Sequence, residues 1–371
     1  MDKPLILIVA GDPSGDLHGA HLARALKSGG ARVAAVGGPL LQGEADEFLE
    51  DLASHAIAGF WEPVAKVGFL VRLGLRLKRF LQERRPAVLV CIDYYGFNRR
   101  VLSLARDAGV PAYYFISPQV WASRPGRVAV LKRLVRRMLV IFPFEERLYR
   151  DAGVPCTFVG HPLLDLIPAP PDQAALKPPL TIGLLPGSRA AEVQRHLPVF
   201  LEAFQRLQGS FPQSRAVVFA SPHLPDSAYA AAAGIAELVR EPGYARRAAL
   251  DLALSSSGTA TLENALLGVP MVVVYKMSWL TYAVARALIR VKHISMVNIL
   301  ADRSLVPELI QDEATPQRVA QAARALLEDP GRYARLRQDL LALRRVLGEP
   351  GASQRAAQEI LSSWRGQVPA A

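Results

Sequence analysis

Ile167-Pro-Ala-Pro-Pro-Asp-Gln-Ala-Ala-Leu-Lys-Pro-Pro179 holds five prolines in thirteen residues. Proline lacks a backbone N–H and has a fixed φ, so this stretch continues neither a helix nor a central strand, and we interpret it as a linker. On both sides of it, short apolar runs alternate with longer helical patterns. Such alternation is typical of βα units that build a parallel sheet. The linker therefore divides the chain into two α/β halves.

Most of the strand candidates are apolar on both faces, which is typical of strands covered by helices on either side. Those before the linker are Leu5–Ala10, Arg32–Val36, Ala87–Ile92, Ala112–Ile116, Met138–Ile141 and Thr157–Val159. Those after it are Leu180–Leu184, Arg215–Phe219, Leu250–Leu254 and Met271–Val274. We predict two Rossmann-like parallel-sheet domains with an interdomain cleft, where ligands bind beyond the carboxyl ends of the strands.

The domain boundaries follow from the linker and from the helical pattern near the C-terminus. We predict an N-terminal domain over residues 1–167 and a C-terminal domain over residues 180–345. Thr315 is a candidate N-cap with Pro316 at the first helical position, and the chain is predicted to be helical from there to near its end. Residues 346–371 should contain a last helix, at about Ala352–Trp364, that packs back on the first domain.

Composition narrows the class of protein. Of 371 residues, 51% are hydrophobic and 21% are charged, a globular balance that argues against disorder. The net charge of +11 favours an anionic partner, but no lysine- or arginine-rich tail occurs, so we expect no nucleic acid. The N-terminus lacks the basic region and cleavage site of a signal peptide, and no run of about eighteen uncharged apolar residues exists. We therefore expect a cytoplasmic protein.

The cysteines and histidines do not predict a metal site. Cys91 and Cys156, the only cysteines, lie in apolar strand-like runs, and we expect buried thiols and no disulfide. The seven histidines are not paired with carboxylates at the spacing of a ligand set. His161, at a strand end before the linker, is the histidine that we expect to face the cleft.

Two polar motifs follow strands of the first half. The first strand ends in AGDPSGD (Ala10–Asp16), whose glycines permit a ligand to approach a helix N-terminus, although a turn with an N-cap explains it equally well. The third strand ends in Cys91-Ile-Asp93. A carboxylate at a strand end is placed to take a proton from a hydroxyl, so Asp93 is a candidate general base. The alternative is that Asp93 caps the helix that begins near Phe97.

The second half carries two candidate anion-binding turns. In LPGSRAAE (Leu185–Glu192), backbone N–H groups, a hydroxyl and an arginine open a helix and suit a diphosphate. Glu192 could instead pair with Arg189 on the helix surface. In Ser255–Glu263, hydroxyls and a glycine lie at a similar junction, and Glu263 is a candidate acceptor for ribose hydroxyls. The alternative there is a Ser/Thr cap with a first-turn glutamate. Two such turns favour a nucleoside diphosphate.

Two segments mix bulky apolar residues with cations. Phe60–Leu81 carries only cations after Glu62, and Trp279–Arg290, which runs on to Lys292 and His293, has the same character. Basic amphipathic helices with exposed apolar side chains bind membrane interfaces. The alternative is an ordinary core helix whose cations form the solvated face. Together with the basic net charge, the two segments favour binding to an anionic membrane surface.

The motifs, taken in order, resemble those of the lipid-A-disaccharide synthase family. They are AGDPSGD (Ala10–Asp16), IDYYGFN (Ile92–Asn98), SPQVWA (Ser117–Ala122), FPFE (Phe142–Glu145), GHPLLD (Gly160–Asp165), LPGSRAAEV (Leu185–Val193), SSGTATLE (Ser256–Glu263) and NILADRSLVPELIQ (Asn298–Gln311). The resemblance implies a two-domain GT-B glycosyltransferase and an inverting transfer. The diacylglucosamine of a UDP-diacylglucosamine donor would move onto the 6-hydroxyl of a diacylglucosamine 1-phosphate acceptor, which forms lipid A disaccharide 1-phosphate and releases UDP.

The resemblance also implies roles for individual residues. Asp93 would be the general base. The residues implied for the UDP portion are Ser188, Arg189, Glu263 and Asn298, and those that would shape its cradle are Gly187, Gly258 and Thr259. Neither a metal nor a cofactor is implied, because helix termini and Arg189 would offset the charge of the leaving diphosphate. With the basic amphipathic segments, we expect a peripheral location on the inner face of the cytoplasmic membrane.

The departures from the family pattern fall mainly on the acceptor side. They are Asp12-Pro13 for the usual Glu-Ala, Gly96 for a common second aspartate, Ser123-Arg124 after SPQVWA in place of Trp, and Met296-Val297 before Asn298 in place of Leu-Pro. Nucleotide use is therefore the firmer expectation. The alternatives are a related GT-B enzyme with a different lipid acceptor, a UDP-sugar epimerase, and a non-catalytic UDP-sugar-binding protein.

Overall fold

The structure is a computed structural model that describes residues 3–54, 63–123, 126–170, 176, 178–240, 243–277 and 292–365. These residues form two compact units. The first unit contains the described residues up to Asp165 and those from Leu347 onward, and the second runs from Leu166 to Val346. Each unit is built on one sheet whose paired strands are all parallel.

The sheet of the first unit has seven strands. They are β1 (Leu5–Ala10), β2 (Arg32–Gly37), β3 (Glu47–Asp51), β4 (Val88–Ile92), β5 (Ala112–Phe115), β6 (Arg137–Val140) and β7 (Cys156–Phe158). Their spatial order is β3-β2-β1-β4-β5-β6-β7. The strand order therefore reverses between β1 and β4, which is the place where open α/β sheets bind ligands.

Helices cover this sheet. They are Pro13–Ser28, Pro39–Glu44, Pro63–Arg84, Tyr95–Asp107, Val120–Ser123, Gly126–Leu134, Pro143–Asp151, Leu163–Leu166 and, near the C-terminus, Ala352–Arg365. The C-terminal helix packs against the helix Pro13–Ser28. The core on one face of the sheet joins strand residues such as Leu7 and Leu89 to buried helix residues such as Leu77.

The sheet of the second unit has six strands. They are β8 (Thr181–Leu185), β9 (Arg215–Phe219), β10 (Glu237–Val239), β11 (Leu252–Ser256), β12 (Met271–Tyr275) and β13 (Glu308–Ile310), in the spatial order β10-β9-β8-β11-β12-β13. The strand order reverses between β8 and β11. The helices are Ala190–Gln208, Ala245–Ala248, Thr259–Leu266, Met296–Ala301, Pro316–Leu327 and Pro330–Val346, with 3-10 turns at Asp226–Ala232 and Gln311–Glu313.

The prediction of two parallel α/β halves is confirmed, and each predicted strand is present within two residues of its expected ends. The strands β3, β10 and β13 were not predicted, and all three are edge strands. An edge strand pairs with one neighbour and covers less core, so short polar sequences such as Glu47–Asp51 suffice. Thr315 caps the helix Pro316–Leu327 as predicted, with its hydroxyl accepting the Arg318 N–H.

Both cysteine thiols are free. Cys91 is buried in β4 as expected, whereas Cys156, on the edge strand β7, is only half-buried. Within the described ranges, every helix falls short of the length and apolar character that a bilayer-crossing segment needs.

Candidate functional site

The first group of site residues lies where the strand order of the first sheet reverses. Ala10 of β1 and Ile92 of β4 are register partners, so Asp12 and Asp93 follow neighbouring strand ends. Gly11 makes this close approach possible, because a Cβ at that position would overlap the ring of Tyr94. Two carboxylates are thus brought to one edge of the sheet.

The main chain at Asp93 is held in an uncommon conformation. Asp93 and Tyr94 have φ values of +41° and +42°, in the left-handed region that residues other than glycine rarely adopt. The carbonyl oxygen of Asp93 accepts the side-chain amide of Asn98 at 2.8 Å and the hydroxyl of Tyr114. The following helix begins at Tyr95, and its N-cap residue is Tyr94, not Asp93. Asp93 therefore does not cap it, and the capping alternative is wrong.

The surroundings of Asp93 strengthen it as a base. Burial raises the pKa of Asp93 to about 6; the negative charge of Asp12 adds to the rise, and a bond from the backbone N–H of Tyr94 opposes it. Burial also raises the pKa of Asp12, and the Gly15 N–H, which donates to Asp12 Oδ1 at 2.6 Å, opposes that shift. At neutral pH Asp93 is mostly ionised, yet it binds a proton more tightly than an ordinary aspartate. These properties suit the removal of a proton from a hydroxyl.

The aspartates of the first motif also have structural roles. Asp12 caps the helix Pro13–Ser28, as the N-cap interpretation of this motif predicted. Asp16 is buried, and its carboxylate accepts the N–H groups of Gly38, Leu40 and Leu41 at 2.7, 3.0 and 3.0 Å. It thereby fixes the turn between β2 and the next helix.

The motifs SPQVWA and FPFE meet beyond β5 and β6. The buried Glu145 accepts the indole N–H of Trp121 at 3.2 Å and the N–H of Phe142 at 3.3 Å. Burial raises the pKa of Glu145 to about 8, although these bonds oppose the shift. His161 is also buried, with its ring centroid 5.1 Å from that of Phe142. Burial lowers the pKa of His161 to about 3, so it packs as a neutral ring.

The second group of site residues lies at the reversal point of the second sheet. Leu185 of β8 pairs with Ser255 of β11, so the turns that follow these strands are neighbours. The structure thus brings together the two predicted anion-binding turns, with Gly187, Ser188 and Arg189 in one and Gly258 and Thr259 in the other. The side chains of Ser188, Arg189 and Thr259 are exposed. This edge can therefore receive a ligand.

Glu192 occupies the first of these turns. Its Oε2 accepts the N–H groups of Ser188 and Arg189 at 3.0 and 3.3 Å, and its Oε1 accepts the Arg189 guanidinium at 2.7 Å. The alternative in which Glu192 pairs with Arg189 is therefore correct. Moreover, the N–H groups of Ser188 and Arg189 that were predicted to hold a phosphate are already bonded within the chain.

Sequence reasoning missed His196. This residue is buried on the helix Ala190–Gln208, and its Nε2 accepts the N–H of Lys276 at 3.1 Å. Because Nε2 accepts, the proton lies on Nδ1, which donates to the carbonyl oxygen of Pro186 at 2.9 Å. His196 thus joins the turn after β8 to the end of β12. Its place one turn beyond Glu192, on the buried helix face, is the only sequence signal for this role.

The carboxylate of Glu263 is bonded within the chain as well. It accepts the hydroxyl of Tyr244 at 3.1 Å and forms an ion pair with Arg247. The Arg247 guanidinium lies 5.4 Å from the ring centroid of Phe219 and 5.7 Å from that of Tyr244. Sequence reasoning missed Tyr244 and Arg247, which belong to no recognisable motif. The N-cap residue of the helix that carries Glu263 is Gly258 and not a serine or threonine, so the Ser/Thr-cap alternative is wrong.

Asn298 lies inside the second unit. Its Nδ2 donates to Val306 O and to Glu308 Oε1, both at 2.9 Å, and its Oδ1 accepts the N–H groups of Leu305 and Val306 at 2.8 and 2.9 Å. The two donors and the two lone pairs of the amide are therefore all used by the chain. Asn298 supports the segment that leads into β13.

The helix Pro63–Arg84 carries an exposed apolar stripe. Val67, Val71 and Leu75 are 61%, 51% and 63% exposed, and their spacing of four residues puts them on one helix face. The residues that bury themselves in the core are Leu73, Leu77, Phe80 and Leu81. Phe60–Glu62 and the second basic segment, Trp279–Arg290, lie outside the described residues. The stripe is therefore the described part of the predicted membrane-binding surface.

Comparison with protein families and relatives identifies a family. The sequence model for lipid-A-disaccharide synthetase matches residues 6–362. A lipid-A-disaccharide synthase from Syntrophus aciditrophicus is 42% identical, over 96% of this chain and 97% of that protein. Another, from Geobacter metallireducens, is 40% identical over 96% of each chain.

Comparison with solved structures supports the fold. S. aureus MnaA, solved with UDP, has a TM-score of 0.68 at 12% identity, over 99% of this chain and 98% of that one. The calicheamicin glycosyltransferase CalG4 has a TM-score of 0.60 at 16% identity, over 100% of both chains. The fold is the two-domain GT-B arrangement of parallel-sheet α/β units, as predicted.

Proposed function

The chain belongs to the lipid-A-disaccharide synthetase family of glycosyltransferases, and we propose on that basis the substrates that it uses and the residues that carry the reaction. The donor is the UDP derivative of 2,3-diacylglucosamine, and the acceptor is 2,3-diacylglucosamine 1-phosphate. The products are lipid A disaccharide 1-phosphate and UDP. The observation that carries this proposal is the family match over residues 6–362, a range that includes the polar residues at the reversal points of both sheets.

Asp93 is the proposed general base. Its carboxylate accepts the proton of the acceptor's 6-hydroxyl while the hydroxyl oxygen attacks the anomeric carbon of the donor. The bond from that carbon to the diphosphate breaks, UDP leaves, and the anomeric configuration inverts. The raised pKa of Asp93 matches this task, because a base works best when its pKa lies near the working pH. Base catalysis of this kind contributes on the order of 10²–10⁴ in rate.

The second unit is proposed to hold UDP. Ser188 and the exposed guanidinium of Arg189 bind the diphosphate at the N-terminus of the helix Ala190–Gln208, where the helix dipole favours an anion. Gly187, Gly258 and Thr259 leave room for the nucleotide. Two carboxylate oxygens offer about four lone-pair sites, so Glu263 can bind ribose hydroxyls while it keeps Tyr244 and Arg247.

Asn298 is proposed to act indirectly. Because its amide is fully bonded within the chain, it contributes to donor binding by fixing the segment from Ser295 to Glu308 rather than by touching UDP. The same holds for His196, which fixes the turn that carries Arg189.

The substrates of the proposed reaction carry acyl chains, and the helix Pro63–Arg84 is proposed to bring the enzyme to the inner membrane surface. Val67, Val71 and Leu75 would insert among lipid headgroups, and the exposed cations Arg72, Lys78 and Arg79 beside them would attract anionic lipids. The exposed apolar stripe supports this proposal, because monomeric soluble proteins seldom leave such side chains together in water.

The test of the proposed function is a mass-spectrometric assay. Purified protein is mixed with UDP-2,3-diacylglucosamine and 2,3-diacylglucosamine 1-phosphate, and the products are identified by mass. We expect a tetraacyl disaccharide 1-phosphate and one UDP for each disaccharide, and a rate lower by on the order of 10²–10⁴ with Asp93→Asn. UDP released without a disaccharide, or product formed at the normal rate by Asp93→Asn, would contradict the proposal.

A further inference from the structure

We propose that Glu192 is an exchangeable stand-in for the donor's diphosphate. Its carboxylate holds the anion-binding groups of the turn from Pro186 to Arg189, and it moves aside when the diphosphate binds. This inference rests on the proposed function of the turn. It assigns to Glu192 a role in setting donor affinity that is separate from the role of Arg189.

The first argument is that Glu192 and a bound diphosphate would use the same hydrogen-bond donor groups. The carboxylate of Glu192 accepts both backbone N–H groups, from Ser188 and Arg189, and the Arg189 guanidinium. These three groups are the ones that a phosphate at this helix N-terminus would use. An N–H group directed at one acceptor bonds a second one poorly, and two anions a few ångströms apart repel. A diphosphate and the carboxylate therefore exclude each other from this turn.

The second argument is that the turn is shaped around the carboxylate. Gly187 has a φ of +120°, and a Cβ there would lie 2.5 Å from Glu192 Oε2 and 2.7 Å from Glu192 Cβ. Glycine at this position therefore makes room for the glutamate itself. In the structure, the carboxylate fills the turn and neutralises Arg189.

The third argument is that Glu192 can leave without loss of the turn. Its side chain is 30% exposed and that of Arg189 is 80% exposed, and ion pairs so open to water stabilise a fold by little. The buried His196 holds the turn separately, through Pro186 O on one side and the N–H of Lys276 on the other. The turn thus has a permanent support in His196 and a replaceable one in Glu192.

A stand-in of this kind lowers the affinity for the ligand whose place it takes, because binding must first break its bonds. Glu192→Gln keeps the length of the side chain but removes the charge, so it competes less and repels no phosphate. We therefore expect UDP to bind Glu192→Gln at least about threefold more tightly than the wild type, since bonds to a charged group are the stronger ones. Uridine, which has no phosphate, should bind both proteins equally.

Isothermal titration calorimetry with UDP and with uridine tests this expectation. Glu202→Gln is the matched control, because Glu202 lies on the same helix, pairs with Arg206 at 2.8 Å and is three turns beyond the site. The control should bind UDP as the wild type does. Thermal melting adds a second readout: UDP should raise the midpoint of Glu192→Gln by more than that of the wild type.

Equal or weaker binding of UDP by a folded Glu192→Gln would overturn the inference, since Glu192 would then remain in place as a helix cap or as a support for Arg189. If Glu192→Gln does not fold, Glu192→Ala is judged by the same comparison. A wild-type protein that binds no UDP would instead contradict the proposed donor site, so the two failures are distinguishable. Tighter UDP binding that uridine shares would also overturn the inference, because it would place the effect away from the phosphates.

Discussion

Replacing Asp12 by asparagine removes a charge beside the proposed base and leaves the helix cap in place. Asparagine caps helices as well as aspartate does, so it can accept the Gly15 N–H that Asp12 accepts at 2.6 Å. Burial is the larger cause that raises the pKa of Asp93 to about 6, and Asp12 is the second. The substitution removes only the second cause. The pKa of Asp93 should therefore fall, yet remain above the ordinary value of 3.8.

The pH dependence of kcat/KM makes this shift measurable. A base must be deprotonated to act, so activity is lost as the pH falls through its pKa. With a pKa of about 6, wild-type kcat/KM is half of its plateau near pH 6, and about a tenth of it remains at pH 5. Asp12→Asn should keep a larger fraction of its plateau at pH 5. The plateau itself should be equal or lower, because a base with a lower pKa accepts a proton less readily.

The assay is the initial rate of disaccharide formation at low substrate concentration, followed between about pH 4.5 and 8.5. Glu44→Gln is the control, since it removes a carboxylate of the same unit that pairs with Arg24 far along the chain from Asp93. Its midpoint should match that of the wild type. If Asp12→Asn shows the wild-type midpoint, the two carboxylates do not influence each other as the structure indicates. If the residual activity of Asp93→Asn keeps the same acid limb, that limb belongs to another group.

Three further outcomes are expected. Asp93→Asn should be more stable than the wild type above pH 6 by up to ~3 kcal/mol in urea unfolding, because the raised pKa of Asp93 means that its charged form destabilises the folded state. This gain in stability should vanish below about pH 4, where the wild-type carboxyl is protonated in both states, and a gain that persists there would refute this cause. Arg189→Ala should weaken UDP binding by about 1.5–3 kcal/mol in calorimetry and leave uridine binding unchanged, and equal losses for both ligands would rule out a contact with the diphosphate. Leu75→Ser should reduce co-sedimentation with anionic vesicles, whereas Leu40→Ser, at a site 53% exposed elsewhere on the unit, should not; equal effects would remove the helix Pro63–Arg84 from the membrane surface.

The exposed apolar stripe on the helix Pro63–Arg84 could not be located from the sequence pattern alone. The mixture of apolar and basic residues in Phe60–Leu81 predicts an amphipathic helix but does not say which apolar residues face the core. Phe69 and Leu70 pack against the core, whereas Val67 and Val71 are exposed. Leu75 is exposed and Leu77 is buried, so residue type alone does not decide which side chains face the core; burial depends on the helix rotation that the sheet beneath imposes.

The central strands were predictable, whereas three of the four edge strands of the two described sheets, β3, β10 and β13, were not, for one physical reason. A strand covered on both faces must be apolar throughout, as in Val88–Ile92, and this makes it visible in the sequence. The edge strand Glu308–Ile310 has no such requirement, and its glutamate instead accepts N–H groups of Ile294 and Ser295. Polar residues in edge strands are used for local bonding, so hydrophobic patterning does not reveal them.

The positions of the site residues were predictable as strand ends, but their neighbours were not, because adjacency depends on strand order. Asp12 and Asp93 lie about eighty residues apart in the sequence, and they meet because β4 pairs with β1. The turns at Gly187 and Gly258 meet in the same way, because β11 pairs with β8. In both units the first strand has a partner on each side. The polar residues follow the two strands between which the order reverses, β1 and β4 in the first unit and β8 and β11 in the second. Burial is the larger cause of the raised pKa of Asp93, and the part that Asp12 adds follows from that pairing, because it brings the two carboxylates together. A change in the charge of the turn after one strand should therefore shift the pKa of a carboxyl group in the turn after the neighbouring strand.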